Sequence, residues 1–297
     1  MNFIESKSSV FLIVITFIVI GVFMRKNETG KIILLNGTSS SGKSAILKEL
    51  KKINNNLQII KIDDWFPKEL HKKAIELGWK EESNMDQWLY LHNYMTNKTG
   101  KYYFDIELRE NLFNNISEFY QKVKALSLNG NNVIIDTVLE TDKDYKNFYH
   151  SFKDNKVIKI LIYCPLNILL QRVEDRNKSG NPAEKRTAFQ SFEQFFAMYK
   201  IQENSKEKII DIVKASVLKK SLEDAIQHLI KNNIPESYYP KLEQFKKKFI
   251  ERFALNNTEQ ISLVATHEYH LILNSGLNSP DELAQIISDF IEKDINK

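Results

Sequence analysis

Cysteine is almost missing: Cys164 is the only one in 297 residues. No intramolecular disulfide framework can form, and that usage fits a reducing compartment. Proline and glycine are scarce, six and nine, so each glycine-containing motif stands out against its background. No internal repeat, no metal-ligand spacing of His and Cys, and no Ser/His/Asp signature is found along the chain. Neither sign of charge dominates. Lys and Arg number 42 against 38 Asp and Glu, a net charge of +4. That balance gives no reason to expect a nucleic-acid partner. What is present is core-forming material, 42% hydrophobic and 11% aromatic, enough to pack a sizeable interior.

The longest uncharged run is Val10 to Met24, VFLIVITFIVIGVFM. A helix crossing the hydrocarbon needs about 20 apolar residues, so the run is short unless Ser8, Ser9 and Thr16 are counted with it. Glu5 and Lys7 precede it, and Arg25, Lys26 and Lys31 follow. The positive-inside tendency then predicts a single-pass membrane anchor through residues about 8–24, the rest of the chain lying on the cytoplasmic side. The rival reading is a cleaved secretory signal, which wants a basic start and small residues before the cleavage site. GVFMRKNE offers neither.

Lys31 to Asn36, KIILLN, reads as a buried strand of the parallel kind. It runs into Gly37-Thr38-Ser39-Ser40-Ser41-Gly42-Lys43-Ser44, then into AILKELKKI with helical spacing at Ile46, Leu47, Leu50 and Ile53. Strand, GxxxxGKS and helix in that order turn the pattern into a mechanism. The glycines let the backbone wrap a phosphate, and exposed amides with the helix N-terminus meet its charge. Lys43 is then expected on the β- and γ-phosphates of ATP, and the Ser44 hydroxyl on Mg²⁺. The plain alternative is a serine-rich strand-to-helix turn.

A GTPase would carry a later NKxD motif, but Asn97-Lys98-Thr99-Gly100 and Asn177-Lys178-Ser179-Gly180 both lack the aspartate. A small-molecule kinase needs a carboxylate after the second strand and arginines over the phosphates. Leu57 to Ile62 reads as that strand and ends in Asp63-Asp64-Trp65. After a phosphate loop, Asp63 is read as the base that takes the proton from the acceptor hydroxyl, against a helix cap or turn. Val133 to Asp136 is a third strand ending in an acid; Asp136 either binds Mg²⁺ through water or caps structurally. Thr137 and Glu140 are candidates for the same cleft. Val157 to Tyr163 is a fourth strand, followed by a helix over Leu166 to Arg176. Arg176 is read as a lid arginine on the phosphates. Arg172 stays open between that role and a solvated helix face.

In combination these segments resemble the chloramphenicol phosphotransferase-like branch of P-loop kinases. The resemblance rests on LLNGTSSSGKSAILKEL, IDD, NGNNVIID-x-VLE and YCPLNILLQRVEDR. Tyr269-His270-Leu271-Ile272-Leu273-Asn274-Ser275 and the later Asn278-Ser279-Pro280-Asp281-Glu282 complete it. It covers residues of about 30–190 and 265–297 in the right order. It implies Asp63 as catalytic base, Lys43 and Ser44 on ATP·Mg²⁺, Asp136 near the metal and Arg176 in the lid. Three departures stand out. The family's second lid arginine falls near Ser179, leaving Lys178 or Arg186 to substitute. Asn274 and Ser275 replace the usual aspartate and threonine. Gln190 to Val264 separates lid from final strand by far more than the family needs.

The expected architecture is α/β: a P-loop kinase-type three-layer fold with a five-stranded parallel sheet, its last strand at Tyr269–Leu273. To it are added a helical insertion at about 190–264 and the N-terminal anchor over residues 1–28, the kinase domain being 29–297. The insertion reads as helices near Lys206–Leu218, Leu222–Ile230 and Lys241–Phe253. The expected function is transfer of the ATP γ-phosphate to a hydroxyl of a small molecule. The alternatives are a nucleotide, sugar-nucleotide or nucleic-acid-end kinase of the same fold, or a non-catalytic, membrane-tethered nucleotide-binding module. Phe66 to Leu128 is the expected acceptor region; Trp65, Trp79, Trp88, Tyr90 and His92 are candidate contacts or simply core.

Overall fold

The computed structural model describes residues 29–62, 64, 116–178, 188–201, 209–231 and 239–295. The expected anchor segment, Asp63, residues 66–115 of the expected acceptor region, Ser179 and the candidate lid residue Arg186 lie outside that set. Among the described residues, no helix is long and apolar enough to cross a membrane.

Strand β1, Ile32–Asn36, is buried at every position. An uninterrupted apolar strand suits the middle of a parallel sheet covered on both faces, and β1 is placed there. It pairs in parallel with β3, Val133–Asp136, on one side and β4, Val157–Tyr163, on the other. Beyond them lie β2, Gln58–Lys61, and β8, Leu271–Asn274. The order is β2-β3-β1-β4-β8. The chain leaves β1 for the outer position, returns through β3, then crosses to β4, so the order reverses at β1. In open parallel sheets the crevice at such a switch point, beyond the carboxyl ends, receives ligands.

One face of the sheet is covered by α1, Lys43–Ile53, and α8, Pro280–Ile295. Ile33, Leu35 and Ile160 pack there against Ile46, Leu47, Leu50, Leu283 and Ile287. The other face meets α2, Ile116–Leu128, and α3, Asp142–Ser151, through Ile32, Leu34, Phe119, Val123 and Phe148. Thr141 caps α3 in a reciprocal capping box with Asp144. That face continues over β4 to α4, Leu166–Lys178, and α5, Ala188–Met198.

The insertion corrects the sequence reading. It is not purely helical: β5, Tyr199–Ile201, and β6, Asp211–Lys214, flank β7, Gln260–Ala265, in a three-stranded antiparallel sheet. Helix α6, Ala215–Lys231, starts later than expected and runs through the break placed after Leu218. Helix α7, Tyr239–Arg252, matches the third expected helix within a few residues. The expectation failed at Ile209 to Val213 because a short, β-branched run takes its state from a pairing partner, and β7 lies about 50 residues on in the chain. Apolar stripes then weld the insertion to the kinase core. Phe249 of α7 and Phe253 just past its end are fully buried, and Phe249 stacks on Phe196 and meets the Phe192 ring edge-on. Tyr163 of β4 donates a hydrogen bond to Asp211 of β6.

Candidate active site

Asn36 ends β1 as a polar residue with no exposure at all. A buried carboxamide must satisfy both its ends. Its Oδ1 accepts the Leu139 amide at 2.9 Å, and its Nδ2 donates to the Tyr145 and Tyr269 hydroxyls, each at 2.8 Å. The two hydroxyls also bond to each other. Burial pushes both phenols up, Tyr269 to about 12, so both remain neutral. His267 stacks on the Tyr145 ring at 3.4 Å between centroids, and burial pushes its imidazole down against the pull of Asp142. The cluster ties the end of β1 to the connection after β3, which carries Glu140.

The loop then turns over the switch point. A Cβ on Gly37 would stand 2.6 Å from the Ile162 carbonyl oxygen, so backbone packing requires glycine there. Ser40 and Gly42 take positive φ, 64° and 98°, on either side of Ser41. Such alternation curls successive amides towards one centre and forms an anion-binding concavity. Gly42 is the N-cap of α1, so the positive end of that helix opens into the same hollow. Thr38 Oγ1, Ser40 Oγ and Ser41 Oγ are buried with no hydrogen-bond partner among the described residues. Orphaned hydroxyls around a concave loop fit a polyanionic group such as a nucleotide triphosphate.

Lys43 is 7% exposed and folds back along the loop. Its ammonium donates to the Gly37 and Thr38 carbonyls at 2.8 and 3.1 Å and stands 3.9 Å from Asp136 Oδ1. Register brings Asp136 there: it lies opposite Leu35 of β1 and Lys61 of β2. Ser44 is exposed at the first turn of α1. The donor set suits a hydrated divalent ion, with a hydroxyl and a carboxylate either side of the loop. Buried Ile62 and exposed Asp64 follow β2 directly; Asp63 between them is outside the described residues.

The two arginines separate. Arg172 Nη1 donates to the Ser41 carbonyl at 3.1 Å and Ser275 Oγ at 3.0 Å, and Nη2 to the Ser275 carbonyl at 2.7 Å. It therefore staples α4 to the phosphate loop and the end of β8. Ser275, which stands where the resemblance has threonine, keeps the hydroxyl that receives that guanidinium. Burial pushes the nearby Cys164 thiol up, with Arg172 pulling the other way. Arg176 lies one turn further along α4, half-buried.

Sequence reasoning missed one residue at the loop. Gln194 of α5 accepts the Ser39 amide at 2.6 Å and donates to Glu140 at 3.0 Å. Its only sequence signal is a glutamine set among the phenylalanines of an apolar helix.

A five-stranded parallel sheet with a phosphate loop at its switch point and Asp136 at the end of the neighbouring strand defines a phosphotransferase of the P-loop kinase class. The chain belongs to the chloramphenicol phosphotransferase-like protein family, whose model matches residues 30–189, more than half of the 297. No curated protein matches. Among solved structures, Mycobacterium tuberculosis APS kinase CysC with AMPPNP and APS is 12% identical, with 89% of this chain and 98% of that one covered at a TM-score of 0.40. Shikimate kinase from Aquifex aeolicus is 15% identical over 89% and 98%, at 0.37. A sugar kinase from Janibacter is 11% identical over 89% and 95%, at 0.38.

Proposed function

We propose that the chain transfers the γ-phosphate of ATP to a hydroxyl group of a small molecule. The observation that carries this reading is the buried Lys43 ammonium, folded over the concave loop and facing Asp136. Loop residues Gly37 to Ser44 would hold the triphosphate, Lys43 neutralising charge that builds during transfer. Ser44 and Asp136 would hold Mg²⁺. When bound, the nucleotide supplies the phosphoryl group. Asp63 would orient the acceptor hydroxyl and take its proton, and Arg176 would cover the phosphates. The antibiotic in the family's description is not carried over as acceptor, because the acceptor region, Phe66 to Leu128, offers little that matches.

Labelled ATP incubated with a metabolite extract should yield one or more phosphorylated products by mass spectrometry. Asp63→Asn should cut product formation about a hundredfold while nucleotide affinity holds, the size expected for losing a general base. Full turnover in that variant removes Asp63 from the role. Residues about 8–24 would tether this activity to a membrane with the kinase part on the cytoplasmic side. The full chain should stay in the membrane pellet through an alkaline carbonate wash; release into the supernatant would end that proposal.

A further inference from the structure

Gln194 is only 4% exposed, and both ends of its carboxamide are engaged. Oε1 takes the Ser39 N–H and Nε2 gives to Glu140 Oε1. Turning the group over would set N–H against N–H and oxygen against carboxylate, so the two bonds together enforce one orientation. Both anchors sit on stiff ground. Ser39 directly precedes the positive-φ Ser40. Glu140 adjoins the capping box of α3, and its own amide donates to Asp144 at 3.2 Å. Helix α5 in turn is fixed by fully buried Phe192 and Phe195. The bridge thus connects the inserted unit, the phosphate loop and the connection after β3. Its chemistry suits the place. A neutral carboxamide supports the loop with an acceptor and adds no charge, whereas a carboxylate there would repel the phosphates that the loop receives.

We propose that Gln194 is a positioning residue of the nucleotide site, contributed by the insertion: it holds the first half of the phosphate loop in its concave form. The role rests on the nucleotide reading above. Preorganising a loop raises affinity by sparing the cost of ordering it on binding.

The test titrates wild type, Gln194→Leu and Gln194→Glu with a fluorescent ATP analogue and Mg²⁺, and melts each protein. Gln194→Leu, similar in bulk but without an acceptor, is expected to bind about fivefold to tenfold more weakly, the scale of one lost hydrogen bond. Gln194→Glu keeps an acceptor for Ser39 but sets a second carboxylate against Glu140 and close to the phosphates; it is expected to bind more weakly still. A purely structural glutamine would lower the melting temperature of Gln194→Leu yet leave the affinity of the folded protein at the wild-type value. That result, or tighter binding, overturns the proposal. Should Gln194→Leu fail to fold, Gln194→Met takes its place as an unbranched side chain without the carbonyl acceptor, and wild-type affinity in that folded variant overturns the proposal equally. If wild type itself does not bind, the nucleotide reading falls and takes the Gln194 role with it; loss confined to the variants cannot be mistaken for that.

Discussion

Lys43→Ala is expected to lower phosphoryl transfer about a thousandfold, at the upper end of what one preorganised charge-stabilising group contributes. The ammonium is nearly inaccessible, held by two loop carbonyls and set 3.9 Å from Asp136. Its position is therefore fixed before any ligand arrives, and no reorganisation is needed as charge moves onto the transferred group. Alanine removes the charge and also the two bonds that tie the loop to the start of α1. Nucleotide affinity should fall as well, by a smaller factor, because the loop amides and the helix N-terminus still attract the phosphates. Lys43→Arg should rescue little, since a planar guanidinium cannot replace a compact ammonium between two carbonyls. Single-turnover transfer, measured beside the melting temperature, separates chemistry from folding. Transfer within tenfold of wild type would show that Lys43 is not the group that meets the developing charge.

Gly30→Ala is expected to cost about 3–5 kcal/mol of stability, at the top of the range for single substitutions. An added Cβ would stand 1.9 Å from the Asn131 carbonyl oxygen and 2.2 Å from its carbon. Both are main-chain atoms, so no flexible side chain can swing aside. Nor can the strand retreat easily. The Gly30 amide donates to Ser127 O at 2.8 Å, the Ser127 hydroxyl returns a bond to Gly30 O, and Val133 N donates to Lys31 O at 2.8 Å. Relief requires unpairing the entry of β1 from β3, the central pair of the sheet. Chemical denaturation of the purified variant reads this directly. A loss below about 1 kcal/mol would mean that the strand entrance yields more than close packing allows.

How much of this was legible beforehand depends on the range of the interaction. The KIILLN strand, the loop from Gly37 to Ser44 and helix α1 are written in adjacent residues, and each formed where expected. Asp136 at the end of β3 was legible as an acid closing an apolar run; that it faces Lys43 follows from register. Arg172 stayed ambiguous because a helix-face arginine looks the same whether it meets water or the Ser41 carbonyl 131 positions away. Strand β6 was read as helix because its partner β7 is distant in sequence.

The sequence alone determined the local devices: an apolar strand, glycines where backbone must crowd or invert, a lysine at the helix start, and acids at strand ends. These need only neighbouring residues, since propensity, sterics and patterning act within a few positions. Tertiary structure alone decided the strand order that makes β1 the switch point, the antiparallel sheet of the insertion, and the meeting of Gln194, Ser39 and Glu140. Those are long-range contacts, selected by which faces can be buried together, and no single segment carries the information to choose them.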